Sequence, residues 1–447
     1  MKIAMIGQKG IPALSGGVER HTEDLSICLA DLGHSVYVYT RPYYTLKNKK
    51  EHQSVNLISI PSIHTKHLDA ISHTLFASIH SLFQNYDIIH YHGVGPSLLV
   101  WIPRIFKPKT KVIVTFHCRD SRQSKWGQFA KRMLNLGEWM ACKFAHQVIV
   151  TSLVLQSYCK KKYNCDTIYI PNGVNTHNAQ RTTHNTQHIT QDTQHTAQIT
   201  NFNNVLNNFN LEEKKYVLMV ARLIPDKGAH YLIKAFKSLN QNNKFKDYKL
   251  VITGDSAFTD NYLDKIKKMC HDNQNIILTG VLYGKNLEEL YKNAYAFVLP
   301  STAEGLPTVV LEAMAYGIPV LTSNIPGCME LINPIEPQAS NRVNPIGCLL
   351  SNGVNPIGCL LSNGVNPIGC LLSNGVNPIG CLLSNGVKDY GWSFENKDVQ
   401  DLEKKLEYLI NNPEVINEKA KKAQEFVLNN YNWDDLVKKF EQAYKIN

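Results

Sequence analysis

Short apolar runs alternate with longer amphipathic stretches along most of this chain. The opening run, Lys2 to Ile6, is closed by Gly7 and reads as a buried first strand. Val36–Thr40, Leu57–Ile60, Asp87–Tyr91, Lys111–Phe116 and Gln147–Thr151 repeat that pattern, each flanked by polar or helical sequence. A second series follows with Tyr216–Val220, Lys249–Thr253, Ile276–Leu278, Ala296–Leu299 and Pro319–Thr322. Alternation of this kind predicts parallel strands joined by crossover helices. Two successive series predict an α/β protein of two doubly wound, Rossmann-like domains facing a cleft. Ligands of such sheets bind beyond the carboxyl ends of the strands, so the site is expected in that cleft. The final stretch, Asn432–Ile446, places Trp433, Leu436, Phe440 and Tyr444 on one helical face.

Two segments break the alternation. Residues 176–200 consist almost entirely of Thr, His, Gln and Asn, which offer little to bury, so a solvated linker is expected. His184 and His188 stand four apart there, a spacing also open to weak metal binding. From Val343 to Gly386 the unit VNPIGCLLSNG occurs four times without variation. Its Asn-Pro and Asn-Gly pairs are turn signals around a short apolar run, and a surface excursion without catalytic role is expected. The predicted organisation is therefore a first Rossmann-like domain over 1–175 and a linker insert over 176–200. A second Rossmann-like domain over 201–430, carrying the repeat insert 343–386, comes next. A terminal helix over 431–447 packs back on the first domain.

A chain of 447 residues with 43% hydrophobic positions exceeds one ordinary core, in keeping with two domains. The formal charge of +10 suggests an anionic partner: nucleotide phosphates, an anionic membrane surface or nucleic acid. No aromatic-basic recognition module supports nucleic acid. Four of the eleven cysteines are copies within the repeat, and the others lack CxxC spacing, so free thiols are expected. The opening run is too short for a signal-peptide core, and no run reaches membrane-span length. Cytoplasmic residence, in reach of the inner face of a membrane, is the expectation.

The densest chemistry lies in Ser301-Thr-Ala-Glu304-Gly-Leu-Pro307-Thr-Val-Val-Leu-Glu312-Ala-Met-Ala-Tyr-Gly317-Ile-Pro319. A strand ends in a loop, and a helix is predicted to begin at Pro307 and stop at Gly317. Amides of Gly305, Leu306 and Thr308 would then offer an anion site on the positive end of the helix dipole. Glu312, further along the helix, suits a vicinal diol such as a ribose. A second motif, Val220-Ala-Arg222-Leu-Ile-Pro-Asp-Lys227-Gly228, carries two cations from a strand into a loop. Arg clamps phosphate bidentately and Lys acts as a point charge. Two cations and a helix N-terminus can stabilise a leaving diphosphate without metal. No Asp-x-Asp motif and no cluster of metal ligands is evident, so neither metal nor cofactor is expected.

In order and spacing, Arg222…Lys227-Gly228 and Glu304-x7-Glu312 resemble the donor site of glycosyltransferase family 4, a retaining family of the GT-B fold. Val320-Leu-Thr-Ser-Asn-Ile-Pro326-Gly-Cys-Met-Glu330 extends the match. The resemblance implies that Arg222 and Lys227 hold the donor diphosphate and that Glu304 faces the sugar. It implies that amides of Leu306–Thr308 meet the phosphates, that Glu312 takes the ribose, and that Gly254 and residues 280–282 lie near the nucleotide. In the first half, Gly7-Gln-Lys-Gly10-Ile-Pro12-Ala-Leu-Ser-Gly16-Gly17-Val-Glu19-Arg20 resembles the family's first loop, whose Gly-Gly pair lets backbone approach phosphates and acceptor.

Phe116-His117-Cys-Arg119-Asp120 follows a strand, and the resemblance makes His117 the histidine that contacts the transferred sugar. His90-Tyr-His92-Gly93 ends a strand and is read as a loop element, not a metal site. Lys125, Trp126, Phe129, Lys131 and Arg132 form either a basic, aromatic membrane-facing surface or an ordinary solvated helix. The Gly-Ile-Pro opening and Arg122-x2-Lys125-Trp126-x5-Arg132 look like a branch that builds bacterial surface polysaccharides, rhamnosyltransferases included. The expected reaction passes a sugar from a nucleotide-sugar to a glycan or lipid-linked acceptor by front-side displacement, with retention. A nucleotide-sugar hydrolase or 2-epimerase on the same fold, and an inactive binding subunit, are the competing readings.

Overall fold

The computed structural model describes residues 1–14, 16–45, 49–65, 68–123, 126–175, 204–241, 245–256, 260–334 and 389–446. Both inserts, with His184, His188 and the repeats, lie outside the described residues, as does Lys125.

The first domain carries β1 (Lys2–Ile6), β2 (Ser35–Thr40), β3 (Glu51–His52), β4 (Val55–Ser59), β5 (Ile88–His92), β6 (Lys111–Phe116), β7 (Gln147–Val150) and β8 (Ile168–Tyr169). Their order is β3-β4-β2-β1-β5-β6-β7-β8, parallel except for the β3–β4 pair. Its helices are α1 (Gly17–Asp31), α2 (Asp69–Leu82), α3 (Trp101–Phe106), α4 (Gln128–Phe144) and α5 (Leu153–Tyr163). The second domain carries β9 (Tyr216–Val220), β10 (Lys249–Thr253), β11 (Ile276–Gly280), β12 (Ala296–Leu299), β13 (Val320–Ser323) and β14 (Trp392–Phe394). They form an all-parallel sheet in the order β11-β10-β9-β12-β13-β14. Its helices are α6 (Val205–Asn208), α7 (Ala229–Gln241), α8 (Asp260–Cys270), α9 (Gly284–Asn293), α10 (Thr308–Ala315), α11 (Pro326–Ile332), α12 (Val399–Asn411) and α13 (Pro413–Asn430).

Central strands read as continuous apolar runs because helices cover both faces of each sheet. All four residues of β12 are buried, for example. In each sheet the strand order reverses once, between β1 and β5 and between β9 and β12. A crevice opens at such a reversal because neighbouring crossover helices go to opposite faces of the sheet.

The last helix, α14 (Trp433–Lys445), packs on the first domain. Trp433, Leu436, Phe440 and Tyr444 join the core formed by β1, β2 and α1. Asn432 caps it by accepting the Asp434 amide at 2.8 Å. The chain passes between the domains at Val174 and at Asn432. These crossings lie side by side: the Val174 amide donates to the Tyr431 carbonyl at 2.7 Å, and Val174 pairs with Asn432.

Candidate active site

At the first domain's reversal, the loop after β1 leads into α1. Gly16 has φ +100°, a backbone state glycine adopts without penalty, and α1 has no side-chain cap. The amides of Gly17, Val18 and Glu19 donate to no described group. At the second domain's reversal, the loop after β12 leads into α10, also without a side-chain cap. The amides of Gly305, Leu306, Thr308 and Val309 likewise donate to no described group. Helix α10 begins one residue later than predicted. Pro307 is extended (ψ 112°), and its carbonyl accepts from Val310 and Leu311, so it is the cap rather than the first helical residue. Gly317, at φ +68°, ends the helix as predicted.

These two helix starts face each other. A Cβ added to Gly17 would lie 3.5 Å from Thr308 Oγ1. Gly305 meets the first domain even more closely, since a Cβ there would stand 1.8 Å from the His117 carbonyl oxygen. Asn172 Nδ2 donates to the Leu306 carbonyl at 2.7 Å. Glu330 on α11 reaches the other way and caps α5, accepting the Leu153 amide at 2.9 Å. Burial raises the Glu330 carboxyl to about 7, against the lowering effect of the Leu153 and Val154 amides and of Tyr169.

Arg222 and Lys227 stand in the loop after β9, across the crevice from the loop after β12. The two loops are tied where the Thr302 amide donates to the Asp226 carbonyl at 2.8 Å and where Gly228 packs on the Pro300 carbonyl. Lys227 Nζ and Glu304 Oε1 form an ion pair at 2.5 Å, both largely buried. Arg222 makes no ion pair with any described residue. Gly254 and Gly280 pack beside this loop, the Gly254 amide donating to the Gly280 carbonyl at 2.8 Å. Glu312 accepts the Tyr291 hydroxyl at 2.9 Å. Burial raises its carboxyl, while Arg20 and Tyr291 pull it back down.

Arg20 is quoted in the first-loop motif but draws no role from the sequence. Its Nε lies 3.3 Å from Asp24, and its charge also acts on Glu312 of the other domain. Burial lifts the Asp24 carboxyl to about 7, opposed by Arg20.

His117 is buried at the end of β6, and the fold surrounds it with two further histidines that the sequence does not connect. His21 on α1, His92 at the end of β5 and His117 bring nitrogen atoms within 4.8 Å of one another. This corrects two expectations. A cluster of possible metal ligands is present, and His92, expected past the end of the strand, is instead the last residue of β5. Such a cluster is invisible in sequence because its members are 71 and 25 residues apart and share no local spacing. His90 is structural, held by Tyr444 Oη at 2.8 Å and Thr115 Oγ1 at 2.7 Å. Burial lowers His21 to about 4 and holds His92 and His117 well below the usual imidazole range, so all three are neutral at pH 7. Asp120 acts locally, accepting Gln123 Nε2 at 2.8 Å in the turn after His117.

Residues 15–178 match the family model "Glycosyltransferase Family 4", and residues 203–340 match "Glycosyl transferases group 1". A glycosyltransferase of Methanocaldococcus jannaschii, MJ1607, is 26% identical over 357 residues, spanning 74% of this chain and 83% of the relative. The UDP-Gal:alpha-D-GlcNAc-diphosphoundecaprenol alpha-1,3-galactosyltransferase of Escherichia coli is 26% identical over 250 residues, 55% of this chain and 59% of that one. Among solved structures, Anabaena Alr3699/HepE in complex with UDP and glucose superposes with a TM-score of 0.67 at 16% identity, covering 99% of this chain and 98% of that one. The two opposed reversal-point loops are thus the facing halves of a GT-B cleft, and the chain belongs to the family 4 glycosyltransferases.

Proposed function

We propose that this glycosyltransferase moves a sugar from a nucleoside diphosphate sugar to a glycan or lipid-linked glycan with retention, without a catalytic metal, in the building of a cell-surface polysaccharide. The observation that carries this is the convergence of two uncapped helix N-termini, one from each domain, beside Lys227 and the Arg222 loop. Free amides at helix starts bind phosphate oxygens, and their dipoles favour the charge that grows as a diphosphate leaves. Glu312 would take the ribose, and His117 and Glu304 would orient the sugar. The acceptor hydroxyl attacks the anomeric carbon on the face the diphosphate leaves. The bond from that carbon to the phosphate oxygen breaks, and that oxygen takes the hydroxyl proton. Lys227 is then shared between Glu304 and the phosphates, so its charge spans both ends of the breaking bond. The paired crossings at Val174 and Asn432 suit a hinge that closes the cleft against water.

A lipid-linked acceptor is supported by an apolar and basic face on the first domain. Phe83, Ile105, Phe106, Phe129 and Trp139 are exposed on the adjoining helices α2, α3 and α4 and their ends, with Lys109, Arg132 and Lys143 among them. Trp126, expected on this face, is partly buried instead. Rings and cations mixed in this way suit an anionic lipid surface. The E. coli relative's name specifies a lipid diphosphate acceptor. Among the described residues no helix is long and apolar enough to cross a membrane.

The test is a screen of UDP-, GDP- and dTDP-sugars by thermal shift and nucleotide release, in EDTA. One donor should stabilise the protein, Glu312→Ala should abolish that shift, and nucleotide should appear only with added acceptor. Release at an equal rate without acceptor would favour a hydrolase. Absence of any nucleotide effect would overturn the proposal.

A further inference from the structure

Three imidazoles gathered beside the cleft invite a question the transfer chemistry does not answer. His92 Nδ1 and His117 Nε2 stand 3.4 Å apart. In a tetrahedral zinc site with metal–nitrogen bonds of about 2.0–2.1 Å, neighbouring ligand nitrogens are separated by about that distance. The third member has its tautomer fixed. Asn172 Nδ2 donates to the Leu306 carbonyl, which sets the amide so that its Oδ1 faces His21 Nδ1 at 3.0 Å. His21 Nδ1 therefore carries the proton, and its Nε2 holds a lone pair. That Nε2 is buried and has no hydrogen-bond partner. On His92, Nε2 lies 3.4 Å from Met5 Sδ. A thioether only accepts, so the proton belongs on Nε2 and the lone pair on Nδ1. Two of the three imidazoles are thus already in the tautomer a metal needs. His117 reaches it by carrying its proton on Nδ1, with no net proton released.

We propose that His21, His92 and His117 form a binding site for one borderline-soft divalent cation of the zinc class, which acts as a reversible inhibitor of transfer. Imidazole ligands suit zinc, and a carbonyl behind a ligating histidine is the usual outer-shell partner. Three protein ligands leave one position for water or an incoming hydroxyl. The cation would engage the His117 nitrogen and so block the contact with the sugar. Its ligands come from α1, β5 and the residue after β6, none from the Arg222–Lys227 loop, so the cation is not required to hold the diphosphate. The inhibition rests on the proposed role of His117; the binding does not.

The test is a titration of EDTA-stripped full-length protein with Co²⁺, read by visible absorption, followed by Zn²⁺ displacement. One equivalent with intense low-coordinate bands is expected, retained in the His184→Gln/His188→Gln double variant and lost in His21→Gln. Asn172→Leu keeps all three ligands and should weaken binding about 10–100-fold. It provides the answer if His21→Gln does not fold by circular dichroism. Unchanged bands in both His21→Gln and Asn172→Leu, or only weak octahedral bands in the native protein, would overturn the site. Binding without loss of transfer would overturn the inhibition alone, and the donor screen in EDTA would stand unaffected.

Discussion

Gly305→Ala isolates the contact between the domains from the folding of either one. The added methyl carbon would stand 1.8 Å from the His117 carbonyl oxygen and 3.2 Å from Cys118 Cβ. Real Cβ contacts essentially never fall below 3.0 Å, so the loop and the strand end must separate by roughly 1.2 Å. The nearer obstacle is backbone and cannot rotate away. Gly305 belongs to the second domain and His117 to the first, so the movement opens the cleft between helix α10 and His117. A misplacement of about 1 Å in a preorganised site costs about 100-fold in rate, or about 2.7 kcal/mol of transition-state stabilisation. Since the clash is not within one core, the melting temperature should fall by only a few degrees. The assay is initial-rate transfer with the donor identified by the screen, alongside thermal unfolding and nucleotide affinity. Transfer within threefold of the native rate in a folded variant would refute the claim that this contact sets the catalytic geometry. A collapse of thermal stability would refute the claim that the clash lies between domains.

Arg222→Ala and Lys227→Ala should each lower kcat by about 100–1,000-fold, on the order of 2.7–4 kcal/mol, and near-native turnover in either would count against their role on the leaving diphosphate. Trp433→Ala should destabilise the first domain by about 3–5 kcal/mol, because it empties a ring site packed against Gly173 and Phe440; chemical denaturation measures it. Glu330 should make stability depend on pH. Its carboxyl is raised to about 7 in the folded chain against 4.5 for the free group, so folded protein binds the extra proton between those values. That contribution is complete below about pH 4.5 and is lost as pH rises through about 7, a change of about 1–3 kcal/mol. Glu330→Gln should flatten this part of the stability profile, and a profile identical to the native one would contradict the assignment.

Local pattern decided much of this protein. Lys111–Phe116, Tyr216–Val220, Lys249–Thr253 and Ala296–Leu299 occur where their apolar runs stand, because strands buried on both faces need no partner to be recognised. The loops after β9 and β12 were legible for a similar reason: Arg222, Lys227 and Glu304 follow within a few residues of the ends of those strands. The apolar stripe of the last helix was equally plain. Three short strands, Glu51–His52, Ile168–Tyr169 and Trp392–Phe394, escaped because two or three residues establish no period. Tertiary structure alone decided which core of the first domain the stripe on the last helix enters, with Trp433 and Phe440 beside residues of β1, β2 and α1. It also decided that Glu330 caps a helix of the other domain, that Asn172 sets the tautomer of His21, and that His21, His92 and His117 meet. Periodicity reports which face of an element is buried. Which partners meet there depends on strand order and on how the two domains close, and neither is encoded in the spacing along the chain.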